Sequence, residues 1–419
     1  MAGNSLADYA DIVMGQSPAG ETCNASGPGL PLLNGPTEYG PHHPTPAQYT
    51  TDARKRARPG DVLFCVRGST TGRMNWADRE YAIGRGVAAI RHKQRPELQP
   101  FIRAVIEYGL PELLAQATGS TFPNVSATQL ATLWWPPIEE NEQRVIAYIL
   151  GTLDDKIELN RRRNQTLESM ARALFKDWFV DFGPVRAKIE SRMPYLPVEI
   201  WELFPDRLDD EDKPEGWKMV PASELIEFNP AEPLRKGTPA PYLDMASLPT
   251  SGSWPEPPVM REFGSGMRFR NGDTLMARIT PCLENGKTAF VQCLPDDKVG
   301  WGSTEYIVMR PKAPVSAEYA YLLARDDAFR EHAIRSMTGT SGRQRAQGDS
   351  VATFKLASPP DEVLWHAFER QVSPTFECIK SNAKASETLQ ALRDTLLPRL
   401  MSGELVINDA ETFMQEANV

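Results

Sequence analysis

The sequence has few residues that form disulfides or bind metals, and no segment suited to anchoring a chain in a membrane. Its five cysteines include no CxxC pair and its five histidines lack metal-ligand spacing, so neither a disulfide framework nor a zinc site is expected. No apolar run approaches the ~18 residues that a membrane span needs, and the N-terminus lacks the basic and apolar regions of a signal peptide. We therefore expect a reduced, cytoplasmic protein without a bound metal.

An excess of basic charge, common in chains that bind nucleic acid, is also absent. The formal net charge is -9. However, nearly all of the acidic excess lies in residues 180–216 and 361–419, each of which has ten acidic against five basic side chains. Residues 1–138 and 217–360 each have one more basic than acidic side chain. Near-neutral domains can each present one basic face, so the charge permits DNA binding without predicting it.

What the chain does contain is a long amphipathic pattern between residues 139 and 179. Its seam positions alternate steps of four and three residues, which is the heptad repeat of a coiled coil. They are Ile146, Leu150, Leu153, Ile157, Asn160, Asn164, Leu167, Ala171, Leu174 and Trp178. The two amides are expected to specify the helix register, because a shifted register would leave them unsatisfied. The alternative is a single core helix of a globular domain.

The same pattern recurs 222 residues further along, between residues 361 and 401. The matching seam positions are Phe368, Val372, Ile379, Asn382, Leu389 and Leu396. Thr375 and Arg393 depart from the pattern, since they stand where the first copy has Leu153 and Ala171. Because one chain carries both helices, we predict that they pack against each other as a coiled coil.

The segments in front of the two helices share a plan, in which a Gly-Asp turn leads into a strand, further strands, a helix and a loop. The expected fold class is α+β, with two mixed α/β domains joined by the two long helices and a pseudo-two-fold internal repeat. The predicted division is 1–138 first domain, 139–179 first helix, 180–216 acidic proline-rich connector, 217–360 second domain, 361–401 second helix and 402–419 C-terminal tail.

Two sets of loop side chains suit DNA, which needs cations for phosphates and forked or amide side chains for base edges. The first set closes each domain and comprises Ser120, Thr121 and Asn124, and Thr340, Ser341, Arg343, Gln344, Arg345 and Gln347. The second set follows the first strand of each domain and comprises Arg67, Ser69, Thr70 and Arg73, and Arg278, Thr280 and Lys287. For each residue the alternative is an ordinary solvated side chain.

Four stretches together resemble the specificity subunits of type I restriction-modification systems, over essentially the whole chain. They are TGSTFPNVSATQLATLWWPP running into EENEQRVI, ALFKDWFVDFGPVRAK, LFPDRLDDEDKPEGW and LRDTLLPRLMSGELVI. One stretch departs from the family, since PPDEVLWHAFERQ replaces the usual Pro followed shortly by Glu-Gln at the start of the second helix.

The resemblance implies that the two domains are target-recognition domains, each reading one half of a bipartite target in double-stranded DNA. It implies that the two helices pack as an antiparallel coiled coil and form a spacer. It also implies that they dock two modification (methyltransferase) subunits, which carry S-adenosylmethionine and methylate adenine. Separate restriction (translocase and nuclease) subunits would cleave the DNA. This chain would then be a non-catalytic subunit, without its own cofactor, in the defence of a bacterial or archaeal cell against foreign DNA.

Trp178, Phe179 and Phe182 have two interpretations, because consecutive residues at a helix end cannot all face one seam. They form either a docking patch for a modification subunit or a packing contact with the connector. For the whole chain, the alternatives are a coiled-coil assembly scaffold without DNA recognition and a self-contained nuclease or methyltransferase. A methyltransferase needs an Asn/Asp-Pro-Pro-aromatic loop and a glycine-rich cofactor turn, and the sequence contains neither.

Overall fold

The computed structural model describes residues 4–117, 123–295, 298–340 and 342–407. The chain divides into two compact units: unit 1 comprises Met1–Leu159 with Ser386–Val419, and unit 2 comprises Asn160–Ala385. Both units mix helices with sheets, which confirms the predicted α+β class. In the described ranges, no helix is both long enough and apolar enough to cross a membrane.

Unit 1 begins with short strands separated by glycine- and proline-rich turns, and then becomes helical. In chain order its elements are α1 (Leu6–Tyr9), β1 (Ala10–Met14), β2 (Cys23–Asn24), β3 (Leu30–Leu33), β4 (Gln48–Thr50), β5 (Arg56–Ala57), β6 (Val62–Cys65), β7 (Met74–Trp76), β8 (Tyr81–Ile83), β9 (Val87–His92), α2 (Gln99–Ala115), α3 (Ala127–Ala131) and the first part of α4 (Glu140–Phe179). Short 3-10 turns occupy Gly20–Thr22, Pro36–Glu38 and Pro96–Leu98.

Unit 1 has two sheets, and strands β6 and β9 of one of them separate two cores. One sheet has the antiparallel order β1-β9-β6-β7, and the other has the order β2-β4-β3-β8-β5 with a parallel β3–β8 pair. Val62 and Phe64 face the core under α2, whereas Leu63 and Cys65 face the core shared with the second sheet. Alternate residues of a strand point to opposite faces, so a strand between two cores must be apolar throughout.

Unit 2 includes the acidic connector, and after it the element order is similar to that of unit 1. Its elements are the rest of α4, α5 (Gly183–Ile189), α6 (Val198–Trp201), β10 (Lys218–Pro221), α7 (Ala222–Leu225), β11 (Ile226–Phe228), β12 (Pro239–Leu243), β13 (Val259–Glu262), β14 (Met267–Phe269), β15 (Thr274–Ala277), β16 (Thr288–Phe290), β17 (Gly300–Gly302), β18 (Tyr306–Pro311), α8 (Ala317–Ala324), α9 (Asp327–Arg335), α10 (Gly348–Val351), β19 (Lys355–Ser358) and most of α11 (Glu362–Met401).

The sheets of unit 2 pair their strands as those of unit 1 do, except that β2 of unit 1 has no counterpart. One has the order β11-β18-β15-β16, and the other has the order β13-β12-β17-β14 with a parallel β12–β17 pair. A separate pair joins β10 to β19. The central strand β15 corresponds to β6, and α8 packs on this sheet as α2 does in unit 1.

A buried ion pair fixes the entry to each central strand. In unit 1, Asp61 precedes β6, and its Oδ2 accepts a hydrogen bond from the backbone N–H of Arg58 at 2.7 Å. Arg91 on the neighbouring strand β9 donates Nε and Nη2 to the same carboxylate at 2.9 and 2.6 Å. In unit 2, Arg310 donates Nε and Nη2 to the carboxylate of Asp273 at 2.7 and 2.6 Å. Each pair thus ties a turn to the adjacent strand.

The two long helices contact each other within each unit, and the chain directions of the contacting segments are opposite. In unit 1, the guanidinium of Arg393 lies 2.8 Å from the Asp154 carboxylate. Arg393, which stands where the first helix has Ala171, therefore has a charged partner on the other helix. The hydrogen bond and charge of Asp154 raise the pKa of Arg393 against the opposing effect of burial.

In unit 2, the amides of the seam bond across the same helix pair. Asn164 Nδ2 donates to the Ile379 carbonyl at 3.1 Å, and Asn382 Nδ2 donates to Asn164 Oδ1 at 2.9 Å. Asn160 Nδ2 donates to the Asn382 carbonyl at 3.4 Å. The seam side chains assigned from the sequence are all buried or half-buried, namely Ile146, Leu150, Leu153, Ile157, Asn160, Asn164, Leu167, Leu174, Ile379, Asn382, Leu389 and Leu396.

The buried pair in unit 1 gives a stability prediction. In Asp61→Asn, Arg91 keeps its charge but loses the anion beside it, and we expect the free energy of unfolding to fall by about 3 kcal/mol. Urea unfolding measures this change. The matched control is Asp52→Asn, which removes an exposed ion pair with Arg54 in the same unit and should change stability by less than about 1 kcal/mol. Equal losses in the two variants would contradict the prediction.

Candidate nucleic-acid interface

Three loops of unit 1 meet beyond the end of the central strand β6. They are residues 66–73, 84–86 and 123–125, and we refer to them together as loop surface 1. Val66 N–H donates to the Gly86 carbonyl at 3.0 Å, and Val125 N–H donates to the Val66 carbonyl at 2.8 Å. Gly68 N–H donates to the Pro123 carbonyl at 3.2 Å. The two sets of candidate residues that the sequence offers separately therefore lie side by side.

Unit 2 builds a corresponding loop surface 2 from residues 278–287, 303–305, 338–340 and 342–347. Arg278 N–H donates to the Glu305 carbonyl at 3.0 Å, and Ala346 N–H donates to the Arg278 carbonyl at 2.8 Å. The third loop closes on itself, because the backbones of Thr338 and Arg345 exchange hydrogen bonds of 3.1 and 2.9 Å. Both units thus place three loops at the end of a strand that is buried between two cores.

Two arginines on loop surface 1 hold neighbouring backbone rather than pointing freely into solvent. Arg67 donates Nε and Nη2 to the Arg85 carbonyl at 2.8 and 2.6 Å, and Arg73 donates Nη2 to the Tyr39 carbonyl at 3.0 Å. The remaining candidates described here, Ser69, Thr70 and Asn124, are exposed. The cations therefore brace the loops, and the small polar groups line their exposed side.

Loop surface 2 shows the same division between bracing and exposed side chains. Lys287 Nζ donates to the Met245 carbonyl at 2.6 Å, which matches the role of Arg73. Arg278 Nη2 donates to Gln347 Oε1 at 3.0 Å. Thr280 Oγ1 lies 3.5 Å from the Gln344 carbonyl. These contacts join the first loop of the surface to the third.

Arg345 is held by an acidic partner on the middle loop. Its Nε lies 2.9 Å from both carboxylate oxygens of Glu305, and this hydrogen bonding raises the pKa of Arg345. Thr340, Arg343 and Gln347 are exposed, and Gln344 is half-buried. The guanidinium of Arg343 has no partner within the described ranges. Arg343 is thus better placed than Arg345 to reach a ligand.

Three of the predicted residues, Ser120, Thr121 and Ser341, lie outside the described residues. One residue that belongs to loop surface 1 was not predicted. Arg85 stands alone as a charged residue between two glycines in the apolar run YAIGRGVAAI, and that isolation was the available signal. Within the described ranges, no group of His, Cys, Asp or Glu side chains is arranged to hold a metal ion.

The docking-patch interpretation of Trp178, Phe179 and Phe182 needs correction. Trp178 is fully buried and Phe179 is 5% exposed. Phe179 stacks on Trp365 with the ring centroids 5.0 Å apart, and the half-buried Phe182 packs edge-on against Trp217. These rings join the end of α4 to the core of unit 2, so the packing interpretation is favoured. Withdrawing such rings from the core would expose a large apolar area.

Comparisons with known proteins agree with this arrangement. Residues 5–169 match the family described as Type I restriction modification DNA specificity domain. The type I restriction enzyme HindI specificity subunit of Haemophilus influenzae is 23% identical, over 84% of this chain and 88% of its own length. The chain is therefore similar to type I specificity subunits over most of its length.

Two further relatives of the family extend this result. The putative type I restriction enzyme MjaX specificity subunit of Methanocaldococcus jannaschii is 31% identical over 43% of this chain and 42% of its own length. The solved structure of a type I restriction-modification system S subunit from M. genitalium covers 95% of each chain at 16% identity, with a TM-score of 0.52. At that identity the likeness concerns the fold.

The brace between Arg345 and Glu305 gives a prediction for loop surface 2. In Glu305→Gln, the third loop loses its charged contact with the middle loop, and we expect the amides of Thr338 and Arg345 to exchange with solvent about two- to fivefold faster. Hydrogen exchange measures this opening. Glu331→Gln removes a looser pair with Arg335 on α9 and should leave both amides unchanged. Unaltered exchange in Glu305→Gln would show that the backbone bonds alone hold the loop.

Proposed function

We propose that this chain is the sequence-specific DNA-binding subunit of a type I restriction-modification complex and recognises a bipartite target. The observation that supports the proposal is a three-loop surface in each of two units, at the same end of a four-stranded sheet with corresponding strand order. A DNA-reading protein needs a rigid frame that presents exchangeable polar side chains to base edges. Each loop surface provides that frame through buried strands and braced loops.

The exposed side chains differ between the two frames. Loop surface 1 exposes Ser69, Thr70, Arg85 and Asn124, whereas loop surface 2 exposes Thr304, Thr340, Arg343 and Gln347. Arginine suits guanine and the amides of asparagine and glutamine suit adenine, while hydroxyl groups accept or donate to either. We infer that each unit reads one half-site, and that the two half-sites differ in sequence.

The long helices supply the spacing between half-sites in this proposal. Each has 40 residues and at ~1.5 Å per residue is about 60 Å long, which exceeds one DNA turn of ~34 Å. The pairing of Asp154 with Arg393, and of Asn164 with Asn382, opposes sliding of one helix along the other. A fixed register would give a fixed gap.

The chemistry would come from partner subunits. Two modification subunits would bind this chain, carry S-adenosylmethionine and methylate adenine in the recognised sequence, while restriction subunits would translocate and cut DNA. The names of the relatives, which are specificity subunits of type I restriction enzymes, support this division of labour. Binding of a cofactor by this chain is not part of the proposal.

Reconstitution tests the adaptor function. We expect this chain with its modification subunits to methylate adenine within one bipartite sequence, and either component alone to methylate none. Binding to duplexes that contain the sequence should weaken steeply with salt, as phosphate contacts require. The readout is adenine methylation, sequenced in the genomes of cells with and without the chain. Assembly with the subunits but no sequence preference in binding would favour the scaffold alternative.

Lengthening both helices tests the spacer. A single added heptad extends a helix by about 10 Å, or about three base pairs, but also turns the half-sites onto different faces of the DNA. Three heptads inserted after Leu159, matched by three after Ala385, add about 32 Å, which is close to one DNA turn. We expect the gap in the methylated sequence to lengthen by nine or ten base pairs, with both half-sites unchanged.

The control inserts the same residues in α4 alone, which leaves the two helices unequal and should abolish methylation. Methylation-site sequencing reads the gap and the half-sites together. Altered half-sites with an unaltered gap would contradict the spacer role of the helices.

A further inference from the structure

Arg85 is the one exposed residue in a ten-residue stretch of unit 1. All residues from Tyr81 to Ile90 except Arg85 are buried. Arg85 occupies the tip of the turn between β8 and β9. A charged side chain at the tip of an otherwise buried turn projects from a surface that packing holds in place. Its position therefore depends little on the order of a long flexible loop.

The turn is closely packed on both sides of Arg85. A Cβ atom added to Gly84 would lie 2.4 Å from Asn34 Oδ1, and one added to Gly86 would lie 2.2 Å from the Asn34 carbonyl oxygen. Gly84 N–H also donates to the Leu33 carbonyl at 2.8 Å. Gly86 is thus required by close approach of the Asn34 backbone, and Gly84 packs against the Asn34 side chain. Both contacts hold the turn against the segment that follows β3.

Arg67 clamps the same turn from the other side. Its guanidinium donates two hydrogen bonds to the Arg85 carbonyl, and its backbone forms an antiparallel bridge with Asn124. The Arg85 side chain donates Nε to Ser17 Oγ at 3.2 Å, while its two Nη groups have no partner within the described ranges. Arg85 thus presents a positioned pair of donors beside the third loop.

The corresponding turn of unit 2 carries a different side chain at this point. Strand pairing matches β8 with β17 and β9 with β18, so the exposed Thr304 corresponds to Arg85. The backbone beneath is equivalent, since Val66 N–H bonds to the Gly86 carbonyl and Arg278 N–H bonds to the Glu305 carbonyl. A constant turn with a variable exposed residue is the arrangement that sequence discrimination needs.

We propose that Arg85 reads a guanine in the half-site bound by unit 1, and that Arg67 is a positioning residue that sets the turn carrying Arg85. Bidentate contact from arginine to guanine O6 and N7 is the commonest specific contact in the major groove. A guanidinium already held at Nε loses less freedom on binding than a mobile one. The inference rests on the proposed function and adds to it a residue and a base.

The test uses the chain assembled with its modification subunits and a duplex library with randomised bases. For Arg85→Gln, we expect the preference at one base pair of the unit 1 half-site to weaken by roughly 5- to 150-fold, with the other half-site unchanged. Arg79→Gln is the matched control, because it removes an exposed arginine at the opposite end of β8. It should leave every base preference unchanged.

Two results would overturn the assignment of Arg85 to a base. One is an unchanged library preference. The other is a uniform loss of affinity across sequences with a shallower salt dependence, which is the signature of a phosphate contact. If the wild-type complex itself selects no sequence from the library, the proposed function fails first, so the two failures are distinguishable.

Arg67→Lys separates positioning from direct contact. Lysine keeps the positive charge but cannot donate the two-pronged hydrogen bond to the Arg85 carbonyl. We expect Arg67→Lys to weaken the same base preference as Arg85→Gln, and the double variant to lose no more than Arg85→Gln alone. Thermal unfolding verifies that both variants are folded. Additive losses, or a change at a different base pair, would show that Arg67 contacts DNA independently.

Discussion

The buried pairing of carboxylate and guanidinium at the start of each central strand is the constraint on which the loop surfaces depend. Asp61 binds both the turn that enters β6 and Arg91 on β9, and Asp273 does the same for β15 with Arg310 on β18. Burying a charge without its partner is strongly unfavourable, so each pair holds its two strands in one register. The other ends of the two strands lead into the loop surface, so a shift in register would displace every loop there.

On this frame, side chains divide between those that hold loops and those that face outward. Arg73 and Lys287 occupy corresponding positions and donate to backbone carbonyls of corresponding segments, although sequence reasoning treated them as candidates for DNA contact. Composition cannot separate the role of bracing a loop from that of contacting DNA, because an arginine or lysine side chain suits both. The separation depends on which acceptors lie within reach, and that is a property of the folded chain.

Local periodicity predicts the long helices well. The expected ranges of 139–179 and 361–401 differ from Glu140–Phe179 and Glu362–Met401 by one residue at the start of each helix. By contrast, the parallel pairing of β3 with β8 joins short strands far apart in sequence, and no periodic signal marks it. Arg85 was missed for a related reason, since its position as a single exposed residue is recognised only once the burial of its neighbours is known. For Trp178 and Phe179 the sequence left two interpretations open, because aromatic residues at a helix end suit a core and an interface equally well.

The two loop surfaces are closed by different chemistry, with different consequences for the exposed residues. In unit 2 the closing contact uses the Glu305 side chain, so a change of residue 305 removes the charged contact between the middle and third loops. In unit 1 the Arg67 guanidinium binds the carbonyl oxygen of residue 85, which every amino acid possesses. The side chain at position 85 is therefore free to vary while the turn remains closed. If Arg85 contacts a base as proposed, a single substitution there changes the base that is read and leaves the frame intact, so specificity can diverge at position 85.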